Sequence, residues 1–132
     1  MPTFQAGNIK IQAGDVIKVT AHFTNPPKEK IMICICPIKF KYMVINTKPY
    51  GLARPAQLPV SVTELPCLDH NSHIDTSKLV TLSAMETQYV VDSDERCHKG
   101  PLPPKLKQSI KALILQHRIM PKDQMNLVAQ NL

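Results

Sequence analysis

Lys99-Gly100-Pro101-Leu102-Pro103-Pro104, running straight into Lys105-Leu106-Lys107, is where this chain changes its period. Downstream, Leu106, Ile110, Leu113, Ile114 and His117 recur at three- and four-residue steps, the pattern of one amphipathic helix with an apolar stripe. Pro103 or Pro104 opens that helix, where a missing N–H costs little, and Pro121 is expected to stop it. Residues 123–132 leave room for a short second helix. Residues 1–100 therefore read as strands and loops, 101–120 as the helix and 121–132 as a tail, all within a single domain of 132 residues.

Upstream of the change, the apolar residues follow a strand rhythm. Ala13-Gly14-Asp15-Val16-Ile17-Lys18-Val19-Thr20-Ala21-His22-Phe23 alternates after a Gly-Asp turn and predicts a half-buried strand. Thr24 to Lys30 holds two adjacent prolines and predicts a loop. Ile31-Met32-Ile33-Cys34-Ile35-Cys36 is almost continuously apolar, as expected of a central strand covered on both faces. Pro37 breaks it, and Phe40 to Asn46 is expected to return as its hairpin partner. Thr47 to Pro59 reads as loop and Val60-Ser61-Val62-Thr63 as a short strand. Further strands are expected at Asn71 to Leu82 and at Tyr89-Val90-Val91. Short strands first and a helix last define an α+β protein: a small, strongly bent antiparallel sheet or barrel with a C-terminal helix packed at its end.

The formal net charge is +6 and the isoelectric point is near 9.3, a balance suited to a polyanionic partner such as RNA. Only three of the sixteen cations are arginine, and aromatic residues make up 5% with no tryptophan, which argues against a surface that stacks successive bases on exposed rings. No apolar run approaches the ~18 residues that span a bilayer, and Met1 to Asp15 lacks the order of a signal peptide, so a cytoplasmic protein is expected. Cys34 and Cys36 sit in an apolar run, while Cys67 and Cys97 stand alone in polar segments. No Cys-x-x-Cys occurs, and Cys67, His70 and His73 lack a fourth ligand at a normal spacing. Free thiols acting as small hydrophobes are expected, with no metal and no cofactor.

The segment Asn71-Ser72-His73-Ile74-Asp75-Thr76-Ser77 concentrates the polar chemistry. On an extended backbone His73 and Asp75 point to the same face, and a histidine beside a carboxylate suits acid–base work. The same residues are also good at capping their own backbone, and turn chemistry explains them without any function. His22 at a strand end and Lys28 and Lys30 around the proline loop are candidate RNA contacts. His22 also fits a half-exposed strand end, and the two lysines a solvated hairpin tip. The helix stripe is core, and the outer cations Lys105, Lys107, Lys111 and Arg118 fit a solvated face.

Three places together resemble the MazF/PemK (Kid) toxins of type II toxin–antitoxin systems: Gly14-Asp15-Val16-Ile17-Lys18-Val19, the apolar Ile31 to Cys36, and Lys99-Gly100-Pro101-Leu102-Pro103-Pro104-Lys105-Leu106 before a helix. The likeness in element order covers most of residues 13–117. It implies an SH3-like barrel, a homodimer, an acidic antitoxin partner, and metal-independent endoribonuclease (hydrolase) activity on single-stranded RNA. In that chemistry a ribose 2′-OH attacks the adjacent phosphate, which requires a base, an acid and a cation. By motif order, Asn46-Thr47 falls where the family carries Thr or Ser at a strand end. His73-Ile74-Asp75 falls where it carries a polar residue two before an aspartate. The implied catalytic residues are thus His73, Asp75 and Thr47, with Lys28, Lys30, His22 and Arg54 as RNA contacts. One departure matters: the family's arginine-proline is absent, and Lys28, Glu29, Lys30 and Ile31 stand in that region. Lysine is a point charge and cannot make arginine's bidentate fork. The alternative expectation is therefore a non-catalytic binding module on the same small barrel, of the kind a phage or mobile element carries for a nucleic-acid or protein partner.

Overall fold

The computed structural model describes residues 3–6, 9–21, 28–47, 51–92 and 98–132, with side chains for 11–19, 29–47, 54–88, 90 and 100–132. A first hairpin pairs β1 (Thr3–Ala6) with β2 (Ile9–Gln12). The main sheet follows: β3 (Asp15–Ala21), β4 (Lys28–Cys36), β5 (Lys41–Asn46), β6 (Gln57–Val60), β7 (Ser72–Asp75), the two-residue β8 (Val80–Thr81) and β9 (His98–Pro101). Its order is β6-β7-β5-β4-β3-β9, every pairing antiparallel, with β8 on β5 beside β7. The sheet curls into a half-barrel, so the α+β class and the bent antiparallel sheet expected from the sequence are present. Three α-helices complete the fold: α1 (Ala84–Asp92), α2 (Pro104–His117) and α3 (Lys122–Asn131).

Alternation along the central strands sends side chains into two cores. Val16, Ile33, Ile35, Met43, Ile45 and Ile74 face α2 and α3, where Leu106, Ile110, Ile114 and Val128 close over them. On the other face, Ile17, Val19, Met32, Cys34, Tyr42 and Val44 pack with Ile11 of β2, Leu82 and Val90 of α1. This double coverage is why β4 reads as an unbroken apolar run. Burial pushes the Cys34 thiol up, and the Asp15 carboxylate nearby adds to it, so the thiol is an inert core group.

Gly14 locks the start of the sheet. Its φ of +92° is a conformation that side-chain-bearing residues avoid, and in that turn its N–H donates to the Cys34 carbonyl at 2.7 Å. Its own carbonyl accepts from Leu102 N–H at 2.6 Å, tying the lead-in of α2 to the β2–β3 turn.

Several expectations need correction. β4 begins at Lys28, so Lys28 to Lys30 belong to the strand opposite Val19 to Ala21 rather than to a loop. The short strand is Gln57–Val60, not Val60 to Thr63, because Ser61 and Glu64 cap each other's backbone (Ser61 N–H to Glu64 Oε1, 3.0 Å; Glu64 N–H to Ser61 Oγ, 3.1 Å) and turn the chain there. The same box at Ser83 and Glu86 (2.9 and 3.0 Å) opens a helix, and residues 89–91 lie in α1 instead of a strand. Thr76 to Leu79 leave the ladder between β7 and β8, since Thr76 N–H bonds the Ala56 carbonyl at 2.9 Å and Leu79 N–H bonds Gln124 Oε1 at 2.8 Å. Helix α2 starts at Pro104 as read, but ends on Arg118 in the left-handed conformation; Pro121 instead caps α3. Among the described residues no helix is long and apolar enough to cross a membrane.

Candidate functional site

The polar chemistry collects where β4 begins, β5 ends and β7 begins. Register sets Asn46 opposite His73, and His73 opposite Pro59 on the far side. Lys30 lies on the adjacent strand, its Nζ 2.9 Å from Asn46 Oδ1. Lys30, Asn46 and His73 therefore form one cross-strand row, on the face opposite Ile31, Ile45 and Ile74. All three are half-buried, and the Nδ1 of His73 is buried without a hydrogen-bond partner among the described residues. One row further in, Asp75 stands opposite Gln57. Its Oδ1 accepts from Gln57 Nε2 at 3.0 Å, Ser77 N–H at 3.0 Å and Ser77 Oγ at 2.5 Å. Three donors on one oxygen hold the carboxylate rigidly, as turn chemistry requires.

A cleft of about 490 Å³ opens at this same sheet end, touched by Lys30 and Asn46. Ile31, Ile45 and Leu68 form an apolar floor. Lys18 of β3 pairs with Glu29 at 3.0 Å, while Thr47 and Ser72 add hydroxyls. The rim is the exposed pair Asp69 and His70. That rim is braced: Ser72 Oγ donates to the His70 carbonyl at 2.8 Å, and Asn71 Oδ1 accepts from Val62 N–H at 3.0 Å.

Behind β7, Thr76 is fully buried. Its Oγ1 donates to the Ala56 carbonyl at 2.6 Å and lies 2.8 Å from His117 Nε2. Burial holds the His117 imidazole below its ordinary value, a pull that the Asp75 carboxylate partly opposes.

Of the residues singled out by sequence, Lys30 and His73 share the row through Asn46, Asp75 lies one step along the same face, and Thr47 lines the cleft. Arg54 is exposed on a 3-10 turn (Gly51–Ala56) that leads into β6. Only the backbone of Lys28 is described, opposite Ala21, and His22 lies outside the described residues. Lys18, Asp69, His70 and Ser72 were not singled out as cleft residues. Lys18 carried a signal, being the one charge within Val16-Ile17-Lys18-Val19; His70 carried none beyond a polar loop. Cys67, His70 and His73 do not converge, and no group of three potential metal ligands occurs among the described residues.

No protein-family model matches the chain. No curated protein matches it either.

Proposed function

We propose that this chain acts on single-stranded RNA in the manner of the MazF/PemK toxins it resembles, cutting the backbone by 2′-OH attack. The reading takes the curled sheet and its C-terminal helices as the SH3-like barrel of that family. The observation that supports it most is the row Lys30–Asn46–His73, in which a cation, an amide and an imidazole whose buried Nδ1 has no partner among the described residues lie side by side. Imidazole exchanges protons near neutrality, which suits a base for a ribose hydroxyl. In this mechanism His73 takes the 2′-OH proton and O2′ bonds to phosphorus. The P–O5′ bond then breaks, leaving a 2′,3′-cyclic phosphate and a 5′-hydroxyl whose proton comes from water at this open edge. Lys30, oriented by Asn46, offers its charge to the non-bridging oxygens of the crowded phosphate. A homodimer and an acidic antitoxin complementing the +6 charge belong to the same proposal.

A second reading, RNA held but not cut, draws on a different observation. Asp75 is committed to Gln57 and Ser77, and no arginine stands at the start of β4. Incubation of purified protein with a long single-stranded RNA in EDTA separates the two. Cleavage to cyclic-phosphate ends, lost in His73→Ala at unchanged melting temperature, supports the enzyme. Salt-sensitive binding with intact RNA supports the module, and neither cleavage nor binding removes both.

A further inference from the structure

The cleft shares Lys30 and Asn46 with the row and adds apolar side chains to them. Its floor is apolar, from Ile31, Ile45 and Leu68, and its volume of about 490 Å³ lies in the roughly 300–1,000 Å³ range of small-molecule pockets. Of the two lysines on its wall, Lys18 is matched by Glu29 at 3.0 Å and Lys30 is held by Asn46 Oδ1 at 2.9 Å. Asp69, by contrast, makes no hydrogen bond or ion pair among the described residues, and it sits on a rim braced by Ser72 and Asn71. An apolar floor with one unengaged carboxylate at its lip matches a flat aromatic ring that carries N–H groups along an edge.

We propose that this cleft is a nucleobase pocket with a preference for guanine, and that Asp69 is its specificity-determining residue. The proposal rests on the RNA reading above and names the base that lies beside the phosphate held at Lys30. Guanine alone among the four bases presents two adjacent donors, N1–H and the N2 amine, to a single carboxylate. Adenine and cytosine each present an amine next to an acceptor, which a carboxylate repels, and uracil presents one N–H between two carbonyls. Ile31, Ile45 and Leu68 offer apolar contact to the face of the ring. His70 and Thr47 are left to the ribose and the flanking phosphate.

The test uses the full chain and fluorescein-labelled 2′-O-methyl heptamers, which cannot be cut: seven uridines, or six with a central G, A or C. Anisotropy should show the G-containing heptamer binding about tenfold tighter than the others, the discrimination expected of one two-point base contact. Asp69→Ala should bring all four to within about twofold of one another at an unchanged melting temperature. Equal binding of the four heptamers by the native chain, or a G preference that survives Asp69→Ala, overturns the pocket and leaves RNA binding standing. A titration with guanosine, read by amide NMR shifts at Leu68, Asp69 and His70, separates the two ideas from the other side. Shifts there without binding of any heptamer would keep the base pocket and remove the RNA reading, and no response to either ligand overturns both.

Discussion

Thr76 Oγ1 and His117 Nε2 lie 2.8 Å apart, joining the end of β7 to the last turn of α2. The proton positions follow from the neighbours. Ile119 N–H donates to His117 Nδ1 at 2.8 Å, so Nδ1 is the bare nitrogen and Nε2–H donates to Thr76, whose own proton goes to the Ala56 carbonyl. A second proton on the ring would have to displace the Ile119 bond.

Folding stability should therefore fall in mild acid. His117 is held below its ordinary value of 6.5, so the unfolded chain binds this proton more readily than the folded one. The stability that the neutral ring contributes is fully present above 6.5 and is lost as pH falls through 6.5 towards the lower folded value. Melting temperatures between pH 8 and pH 5 should decline over that window in the native chain. His117→Gln, which keeps a side-chain donor but does not titrate, should flatten the decline, and an unchanged profile would count against the assignment.

Thr76→Val should cost about 1–3 kcal/mol in urea unfolding, because it keeps the side-chain shape but strands His117 Nε2–H. Thr76→Ser should recover most of that.

Gly14→Ala should destabilise by about 1–2 kcal/mol through its positive φ alone. The added Cβ would meet only the Cε and Nζ of Lys107, at 3.2 Å, the far end of a flexible side chain. Gly100→Ala, at φ +97° with open space around the new atom, should cost about the same. A much larger loss at Gly14 would show that the Lys107 side chain cannot yield.

Lys30→Ala should weaken binding to every RNA sequence alike and lower the salt slope, d log K/d log[salt], by roughly 0.7 for one lost phosphate contact on a single strand. Asn46→Ala, which removes the amide that orients Lys30, should weaken binding less and leave the slope nearly unchanged. A sequence-dependent loss in Lys30→Ala would move this lysine from backbone contact to base contact.

Ile110→Ala should cost about 2–5 kcal/mol, since Ile110 is fully buried at the centre of the α2 stripe. Leu115→Ala on the same helix, 67% exposed, should change stability by less than about 0.5 kcal/mol.

Local patterns carried much of this fold because they act through the backbone. The period change at Pro103-Pro104, the apolar run of β4 and the Gly14 turn are each decided by a few neighbouring residues, and each was legible. The capping box Ser83-x-x-Glu86 was equally local and announces α1, but the β-branched pair Val90-Val91 masked it. The N-terminal hairpin and β9 were not read as strands, being four-residue strands whose pairing is set by contacts distant in sequence.

From the sequence alone came the central strands β3, β4 and β5 with helix α2 after them, the two-faced burial of β4, and the placement of His73 and Asp75 on a common face, because periodicity is a property of the chain itself. Tertiary structure alone decided which strands became neighbours, since register depends on partners that no local window contains. That pairing put Lys30 and Asn46 beside His73, drew Asp75 to Gln57 and Ser77, and set Asp69 and His70 at the lip of a cleft floored by β4 and β5. Side chains far apart in sequence meet only once the sheet has curled.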